Sequence, residues 1–280
     1  MFRRKESKIF RAAGGAQISA AATNTMLLRT VSKLKCPNFV SPYRRPLSTA
    51  ITSQLNALAS SLPHKDAISY RTAAEAGIVK WTFSDVDRYA GAFAAGLEEA
   101  SFTTGDALAA WLPPNSAEKV IAQFAADRVG LVLVEIDPAL GDGVALRSVL
   151  ADSSAKGLLF DAGLAGGAAA AVVGEALPEI AEGGAYDSAH GLPFRSRAVP
   201  SMRLVVHTGM ELRPGMQNMK YMMTFDPAAR PPLAVDGAPL AVAYSADGKK
   251  EGPLPAKEAL ALPSWAAVAA ILNKEHVAVE

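Results

Sequence analysis

Three stretches of the chain carry apolar residues at helical spacing, with apolar positions three and four residues apart. The stretches are 51–63, 84–97 and 116–128. Ser84 is placed to cap the first turn of the second stretch, and Asp85 and Asp87 suit the positive end of a helix. The pattern predicts three amphipathic helices.

Short apolar runs of strand length separate these helices and continue beyond them. The runs are 66–72, 107–112, 131–136, 157–161, 203–207 and 240–244. Further helical patterns, over 144–151 and up to about Leu177, alternate with them. Run 131–136, LVLVEI, is almost continuously apolar, which is typical of a strand covered on both faces. The alternation predicts an α/β fold, with a parallel-rich sheet flanked by helices.

Glycine, proline and methionine cluster without a period in two later segments. These are 183–200 and 210–235, and both predict long loops. The methionine-rich part of the second segment, 215–223, allows two interpretations. It forms either an adaptable contact surface or a loop that covers the core.

Charge is distributed unevenly along the 280 residues. The net charge is +1, but residues 1–50 hold ten Lys or Arg against the single acid Glu6, so this segment carries +9 and the remainder 1 − 9 = −8. An Arg-rich, acid-poor start with interleaved apolar residues is typical of a mitochondrial transit peptide. The alternative is a basic tail that binds nucleic acid or anionic lipid. We therefore predict a targeting extension over 1–50 and one α/β domain over 51–280.

Several kinds of site are disfavoured by the residue types present. The single cysteine, Cys36, lies in the basic extension, so the domain has no disulfide or cysteine metal site. The four histidines are far apart in sequence, and His207, at the end of a predicted strand, is interpreted as a satisfied core or rim residue. The apolar run 162–174 is too short to span a bilayer. We expect no metal, no cofactor, no nucleic acid and no transmembrane segment.

One stretch near the end of the chain, AYSADGKKEGPLP (243–255), has the glycine, serine and lysine content of a phosphate-binding loop. Such a loop directs several backbone N–H groups at the anion, adds hydroxyl donors and supplies a lysine. Here the spacing is irregular and two acids, Asp247 and Glu251, interrupt it.

The chain resembles the adenylate-forming enzymes, the acyl-CoA synthetase and AMP-binding family. The resemblance rests on LPHKDAISY, on WTFSDVDRYAGAFAAGLEEASFTTGDALAAWLPPNSAEKVIAQFAADRVGLVLVEIDPAL and on VALRSVLADSSAKGLLFD, in that order from about 63 to 161. Residues at family-like places are Gly96, Gly105, Asp106, Asn115, Glu118, Gly130 and Pro138. PSMRLVVHTG (200–209) resembles the strand that precedes the nucleotide loop of that family.

The resemblance places 243–255 at a family loop of the form TSGTTGxPKG. Tyr244, Ser245, Gly248 and Gly252 resemble survivors of it. Ala246 and Asp247 take places where the family has glycine and threonine, and Glu251 stands about where the family has its lysine. The resemblance therefore implies a vestigial loop with no catalytic or cofactor-binding residues.

What the family carries beyond this loop also bears on function. The adenine-contacting segment, the ribose-binding aspartate and the mobile C-terminal domain all follow it in the family, whereas this chain continues for 28 residues after Gly252. We expect a catalytically inactive, truncated relative of the N-terminal part of an acyl-CoA synthetase. Truncation is expected to expose apolar faces and unpaired sheet edges, which partner subunits would cover.

Three roles remain open on the sequence. The first is an accessory subunit of a large mitochondrial assembly, a respiratory-chain complex or the ATP synthase, touching a membrane only through that assembly. The second is a soluble matrix protein that binds an acyl-CoA or a nucleotide. The third is one part of a split acyl-CoA ligase.

Overall fold

A seven-stranded sheet, flanked by helices on both faces, organises the protein. In the computed structural model, the residues described are 50–71, 78–180, 195–224, 239–246 and 248–279. The predicted extension, most of the loop over 183–200 and the end of the segment 210–235 therefore lie outside the described residues.

The α-helices are α1 (Ala50–Ser61), α2 (Phe83–Glu99), α3 (Ala117–Val129), α4 (Gly143–Asp152), α5 (Ala169–Ala176), α6 (Met219–Met222), α7 (Ala256–Ala259) and α8 (Ala266–Leu272). The strands are β1 (Asp66–Arg71), β2 (Ile78–Thr82), β3 (Ala107–Trp111), β4 (Val132–Ile136), β5 (Gly157–Phe160), β6 (Leu204–His207), β7 (Gln217–Asn218), β8 (Pro239–Tyr244), β9 (Lys250–Pro255) and β10 (Val277–Val279).

The large sheet has the strand order β7-β6-β5-β3-β4-β8-β9. All neighbours in it are parallel except β8 and β9, which are antiparallel. A smaller sheet, β10-β1-β2, pairs β1 parallel with β10 and antiparallel with β2. The predicted α/β fold with parallel strands is confirmed.

The two faces of the large sheet bury two separate apolar clusters. Strand β4 shows the division, because Leu133 packs with α2 and α3 whereas Val134 and Ile136 pack with α4 and α5. Both faces are covered, which accounts for the nearly continuous apolar sequence of this strand. Within the part of the chain that the structure describes, no helix is long and apolar enough to cross a bilayer.

The start of α2 differs from the sequence prediction. The N-cap is Thr82, not Ser84: the Thr82 hydroxyl accepts from the Asp85 backbone N–H, and the Asp85 carboxylate accepts from the Thr82 backbone N–H. This capping box satisfies two N–H groups that would otherwise be unpaired, so the helix begins two residues earlier than predicted. Asp87 is paired with the Arg128 guanidinium of α3.

Two glycines at family-like places have clear structural reasons. Gly130 ends α3 in the left-handed conformation, with φ of 77°. Gly96 lets α2 approach α6 closely, because a Cβ at this position would lie 2.8 Å from the Met222 carbonyl oxygen. Both positions are therefore fixed by backbone geometry and packing.

The segment 210–235 is not a continuous loop as predicted. Strand β7 and helix α6 form within it, and Met219 and Met222 are buried in the cluster beneath α2. These methionines therefore cover the core. The sequence patterns also missed β2, β9, α7, α8 and β10, all of which are short.

The N-terminus of α1 is capped by a residue from another helix. The buried Asp127 carboxylate of α3 accepts hydrogen bonds from the Thr52 backbone N–H, at 3.0 Å, and from the Thr52 hydroxyl. A carboxylate at this end also faces the positive pole of the helix dipole. One side chain thus joins α1 to α3.

Asp106 holds the turn that precedes β3. Its carboxylate accepts from the Thr103 backbone N–H at 2.7 Å and from the Lys156 ammonium at 2.6 Å. Burial alone would raise the pKa of Asp106, but the hydrogen bonds from Lys156 and Thr103 lower it below its ordinary value. Lys156 also donates to the Ser101 carbonyl, so this ion pair ties the turn to the start of β5.

We predict that Asp127→Ala lowers the free energy of unfolding by about 2–4 kcal/mol, measured by urea denaturation. The reason is that two buried donors of Thr52 lose their acceptor. Asp142→Ala is the matched control, because Asp142 caps its own helix, α4, at an exposed position. It should cost about 1 kcal/mol. Equal losses in the two variants would contradict the structural role of Asp127.

We also predict that Asp106→Asn reduces the acid sensitivity of the fold. Because the folded-state pKa of Asp106 is lowered, its stabilising contribution is present above the unfolded pKa and is lost as the pH falls through the folded pKa. The free energy of unfolding, measured from pH 5 to pH 2, should fall less steeply in the variant than in the unmodified protein. Lys156→Met should flatten the same part of the profile, and an unchanged slope in both variants would contradict the pairing.

Candidate functional site

The carboxyl ends of five parallel strands place one row of side chains at the same edge of the sheet. The row is Tyr244, Ile136, Trp111, Phe160 and His207, from β8, β4, β3, β5 and β6. All five are at most 3% exposed. Ligands of open α/β sheets bind beyond this edge, where neighbouring strands connect to helices on opposite faces. Here β3 leads to α3, whereas β4 and β5 lead to α4 and α5.

The middle of this row is aromatic. The Trp111 and Phe160 rings stack with their centroids 6.5 Å apart, and the Phe160 and His207 rings are 6.3 Å apart. His207 is buried as predicted, but the interpretation that it is satisfied is wrong, because neither ring nitrogen has a hydrogen-bond partner. Burial and the nearby Arg213 guanidinium lower the pKa of His207, which favours the neutral ring.

Two acidic residues, Glu118 and Asp161, lie on the face of the sheet that α3 covers, beside the first turn of that helix. Burial raises the pKa of Glu118, and the Asp161 carboxylate adds to this while Lys220 opposes it. Asp161 follows β5 directly, and its Oδ1 accepts from the Thr208 hydroxyl at 3.0 Å. The group suits a cation or a hydrogen-bond donor better than a phosphate. The sequence signal that could have found Asp161 is an acid directly after a buried strand.

The predicted vestigial loop forms the turn of an antiparallel hairpin. Residues 245–249 connect β8 to β9, and Tyr244 pairs with Lys250 across the hairpin. The Ser245 backbone N–H donates to the Lys249 carbonyl at 3.1 Å, and the Gly248 N–H donates to the Ser245 carbonyl at 2.8 Å. Both N–H groups are therefore occupied within the turn. Asp247 and the Glu251 side chain lie outside the described residues.

The two glycines of the hairpin have positive φ angles. Gly248 has φ of 75° in the turn, and Gly252 has φ of 98° in β9, where the pairing with β8 is irregular. These conformations favour glycine whether or not an anion is present. The backbone conformation of the hairpin is therefore sufficient to explain why glycine stands at 248 and 252.

Tyr244 and Lys250 are bound to a residue that the sequence did not single out. The Tyr244 hydroxyl donates to the Asp152 Oδ2 at 2.5 Å, and the Lys250 ammonium lies 3.6 Å from the same oxygen. Burial and the Asp152 carboxylate raise the pKa of Tyr244, while the Tyr244 hydrogen bond and Lys250 lower the pKa of Asp152. These contacts fasten the hairpin to the end of α4. Local pattern does not reveal Asp152, since 92 residues separate it from Tyr244.

Two of the histidines come together in the structure although they are far apart in sequence. Because β1 and β10 run parallel, the residues preceding them, His64 and His276, line one open cleft with a volume of about 510 Å³. The cleft also contains Lys65, Asp66 and Lys80, and Asp66 is paired with Lys80 at 2.5 Å. No three acidic, histidine or cysteine side chains among the described residues are grouped as metal ligands.

Solved structures that share this fold include acyl-CoA synthetases and related ligases. An acetoacetyl-CoA synthetase from Streptomyces lividans is 21% identical, with a TM-score of 0.54, over 70% of this chain and 28% of its own. A long-chain-fatty-acid-CoA ligase from Archaeoglobus fulgidus is 16% identical, with a TM-score of 0.53, over 74% of this chain and 36% of its own. An anthranilate CoA ligase, solved with anthranoyl-AMP, has a TM-score of 0.52 at 16% identity and matches 71% of this chain and 32% of its own.

At these identities the likeness shows a common fold, and the chain spans about a third of the length of those proteins. No curated protein sequence matches it. The sequence profile of the AMP-binding enzymes matches residues 56–209, which is more than half of the chain and includes strands β1 to β6 with the helices that cover them. The chain therefore belongs to the AMP-binding enzyme family.

Proposed function

We propose that this protein is a non-catalytic member of its family that serves as an accessory subunit of a mitochondrial assembly, a respiratory-chain complex or the ATP synthase. The observation that carries the proposal is the closed hairpin at 244–252. Two N–H groups that a phosphate loop would direct at an anion are bound to carbonyl groups of the hairpin itself.

Two side chains of the hairpin, Tyr244 and Lys250, are also engaged. The Tyr244 hydroxyl and the Lys250 ammonium both contact Asp152. Glu251 stands about where an active relative would have its lysine, and two like charges about 4 Å apart repel by roughly 4 kcal/mol at an effective dielectric near 20. Stabilising the transferring phosphate requires preorganised donors and positive charge, which this arrangement does not supply.

The role as a subunit is supported by three exposed apolar residues in the part of the chain that follows β6. Met210, Leu212 and Tyr221, on the segment after β6 and on α6, are 79%, 78% and 59% exposed. Large apolar side chains that lie together on a surface are typical of protein contacts. We propose that these three residues form one apolar patch and that a partner subunit covers this patch.

The β9 edge of the large sheet is less suited to docking a partner than the apolar patch is. Strand β9 carries Pro253 and Pro255, which cannot donate to an added strand, and the charged Lys250 and Glu251. β9 has no neighbour on its outer side among the described strands, but prolines and charges discourage strand addition there. The +9 charge of residues 1–50 supports the mitochondrial location.

We predict that ATP with magnesium does not raise the thermal unfolding midpoint of the purified protein. Ligand at about 100 times Kd would stabilise a binding protein by about 2.7 kcal/mol, which is readily detected. An active acyl-CoA synthetase serves as the positive control, and acyl-CoA is titrated in parallel. A saturable rise with ATP or with acyl-CoA would favour the soluble ligand-binding protein instead.

A second experiment, pyrophosphate exchange, separates a split ligase from a subunit. If another chain completed an active enzyme, the native assembly isolated through this protein would exchange pyrophosphate into ATP. We expect no exchange above that of an assembly lacking this protein, and measurable exchange would contradict the proposal.

We predict that Leu212→Asp combined with Tyr221→Asp detaches the protein from its assembly. A charge placed at the centre of an apolar contact must be desolvated without a partner, which weakens association by tenfold or more. Blue-native electrophoresis of mitochondria should show the variant at lower mass than the unmodified protein. Val144→Asp, which replaces an exposed apolar residue on α4, is the matched control and should remain in the assembly. Equal migration of the two variants would show that the apolar patch is not the contact.

A further inference from the structure

The open cleft at the start of β1 and β10 is lined by ionisable side chains, and the proposed function does not use it. The described residues of its lining are His64, Lys65, Asp66, Lys80 and His276. Two lysines stand against one aspartate, so the lining is positive even while both imidazoles are neutral. With a volume of about 510 Å³, the cleft has room for a small solute.

The acid of this lining is already paired. The Asp66 Oδ2 accepts from the Lys80 ammonium at 2.5 Å. An ammonium carries three N–H donors, so Lys80 retains two after this contact. Lys65 instead donates to the Lys274 carbonyl oxygen at 2.7 Å, and no carboxylate among the described residues pairs with it. The charge of Lys65 is therefore not balanced by an acid of the protein.

The two histidines add donors that are open to solvent. His64 and His276 are both exposed, in contrast to the buried His207. Neither exposed ring has a hydrogen-bond or ion-pair partner among the residues that the structure describes. A neutral imidazole offers one N–H donor, and a protonated imidazole offers two together with a positive charge. Both rings therefore suit an anion, and the more so as the pH falls.

Backbone contacts hold both walls of the cleft in place. On one wall, the Phe83 backbone N–H donates to the Lys65 carbonyl oxygen at 3.0 Å. On the other wall, the Glu275 backbone N–H donates to the Ala270 carbonyl oxygen at 2.9 Å, and β10 then pairs with β1. The hydrogen bond from Lys65 to the Lys274 carbonyl joins the two walls. The backbone that carries the cationic side chains is thus fixed before any ligand binds.

We propose that this cleft binds the phosphate group of a small solute, either inorganic phosphate or a phosphate monoester. A phosphate group presents three acceptor oxygens to the ammonium and imidazole donors, whereas a carboxylate presents two. Its negative charge balances that of the lysines. A metal ion suits the cleft less well, since the ammonium groups would repel it and no three ligating side chains among the described residues are grouped.

Binding should be tighter at low pH. Histidine is the side-chain type whose charge changes between about pH 8 and pH 5, and each proton taken up makes the cleft more positive. The other charged side chains on the surrounding elements are Lys65, Asp66, Lys80, Lys274, Glu275 and, at the start of α2, Asp85 and Arg88. Two of these acids are paired, Asp66 with Lys80 and Asp85 with Arg88. The affinity for a dianion should therefore rise about three- to tenfold from pH 8 to pH 6.

The test is an NMR titration of the full chain with sodium sulfate at pH 8 and at pH 6, with sodium chloride at matched ionic strength as the reference. Sulfate remains a dianion at both values, whereas phosphate takes up a proton between them. The ring resonances of His64 and His276 should follow one saturable curve, with half-saturation at about 1–10 mM because the cations are exposed. Those of His207 should not move. A response no larger than that to chloride, or one confined to a single ring of the cleft, would overturn the proposal.

A second series distinguishes the two sources of the phosphate group. Inorganic phosphate and glycerol 3-phosphate are compared at pH 8, where both are mainly dianions. Tighter binding of glycerol 3-phosphate would assign the cleft to a monoester, and tighter binding of inorganic phosphate would assign it to the free ion. Saturation by neither would overturn the proposal.

Variants assign the response to the cleft. Lys65→Met should weaken sulfate binding by about two- to fivefold, whereas Lys257→Met, exposed on α7 outside the lining, is the matched control and should bind as the unmodified protein does. Asp66→Asn should tighten binding by a similar factor, since it removes the competing acid. His64→Gln combined with His276→Gln, followed through backbone amide resonances, should bind equally at pH 8 and at pH 6. Equal affinities in the two lysine variants would overturn the proposal.

A last control keeps this proposal separate from the proposed function. Because ATP also carries phosphate groups, its titration is repeated on a variant that combines Lys65→Met with Lys80→Met. A rise in the thermal unfolding midpoint that persists in this variant would contradict the non-catalytic role and not the phosphate cleft. A rise that is lost in the variant would place the phosphates of ATP in the cleft and support this proposal.

Discussion

The structure depends on covering both faces of the central strands. Strand β3 lies between β5 and β4, all three parallel, and every side chain of their shared surfaces is directed at one of two helical layers. Backbone pairing within the sheet satisfies the polar groups of these strands, so the remaining requirement is to exclude water from above and below. Helices α2 and α3 meet it on one face and α4 and α5 on the other. The strand ends are then left as the place where polar chemistry is tolerated.

Much of the central sheet could be predicted from the sequence because its signals are local. A strand such as LVLVEI is apolar throughout, and a helix such as α3 shows its buried face at regular intervals, so both are evident in a short window. The sequence also singles out 243–255 as one stretch, because its residues are adjacent, although it predicts a loop there and not strand β9. Short elements such as β2 and β10 were missed because their pairing, not their composition, makes them strands.

The chemistry at the edge of the sheet could not be predicted in the same way. Asp152 binds Tyr244, and Asp127 binds Thr52, across 92 and 75 residues, and neither acid differs in local pattern from a surface residue. His207 was predicted to be buried, as it is, but its lack of a partner depends on where the chain after β6 runs. The sequence predicts whether a residue is buried more readily than it predicts which distant residues surround it. That the hairpin is a degenerate phosphate loop remains a prediction, which rests on Glu251 and Asp247 in the sequence.

The two prolines of β9 have a consequence for the aggregation of this protein. An open edge strand is a template on which identical copies can stack into fibrils. Pro253 and Pro255 interrupt the ladder that such stacking requires. The outer strand is therefore a poor template for such stacking even where nothing covers it.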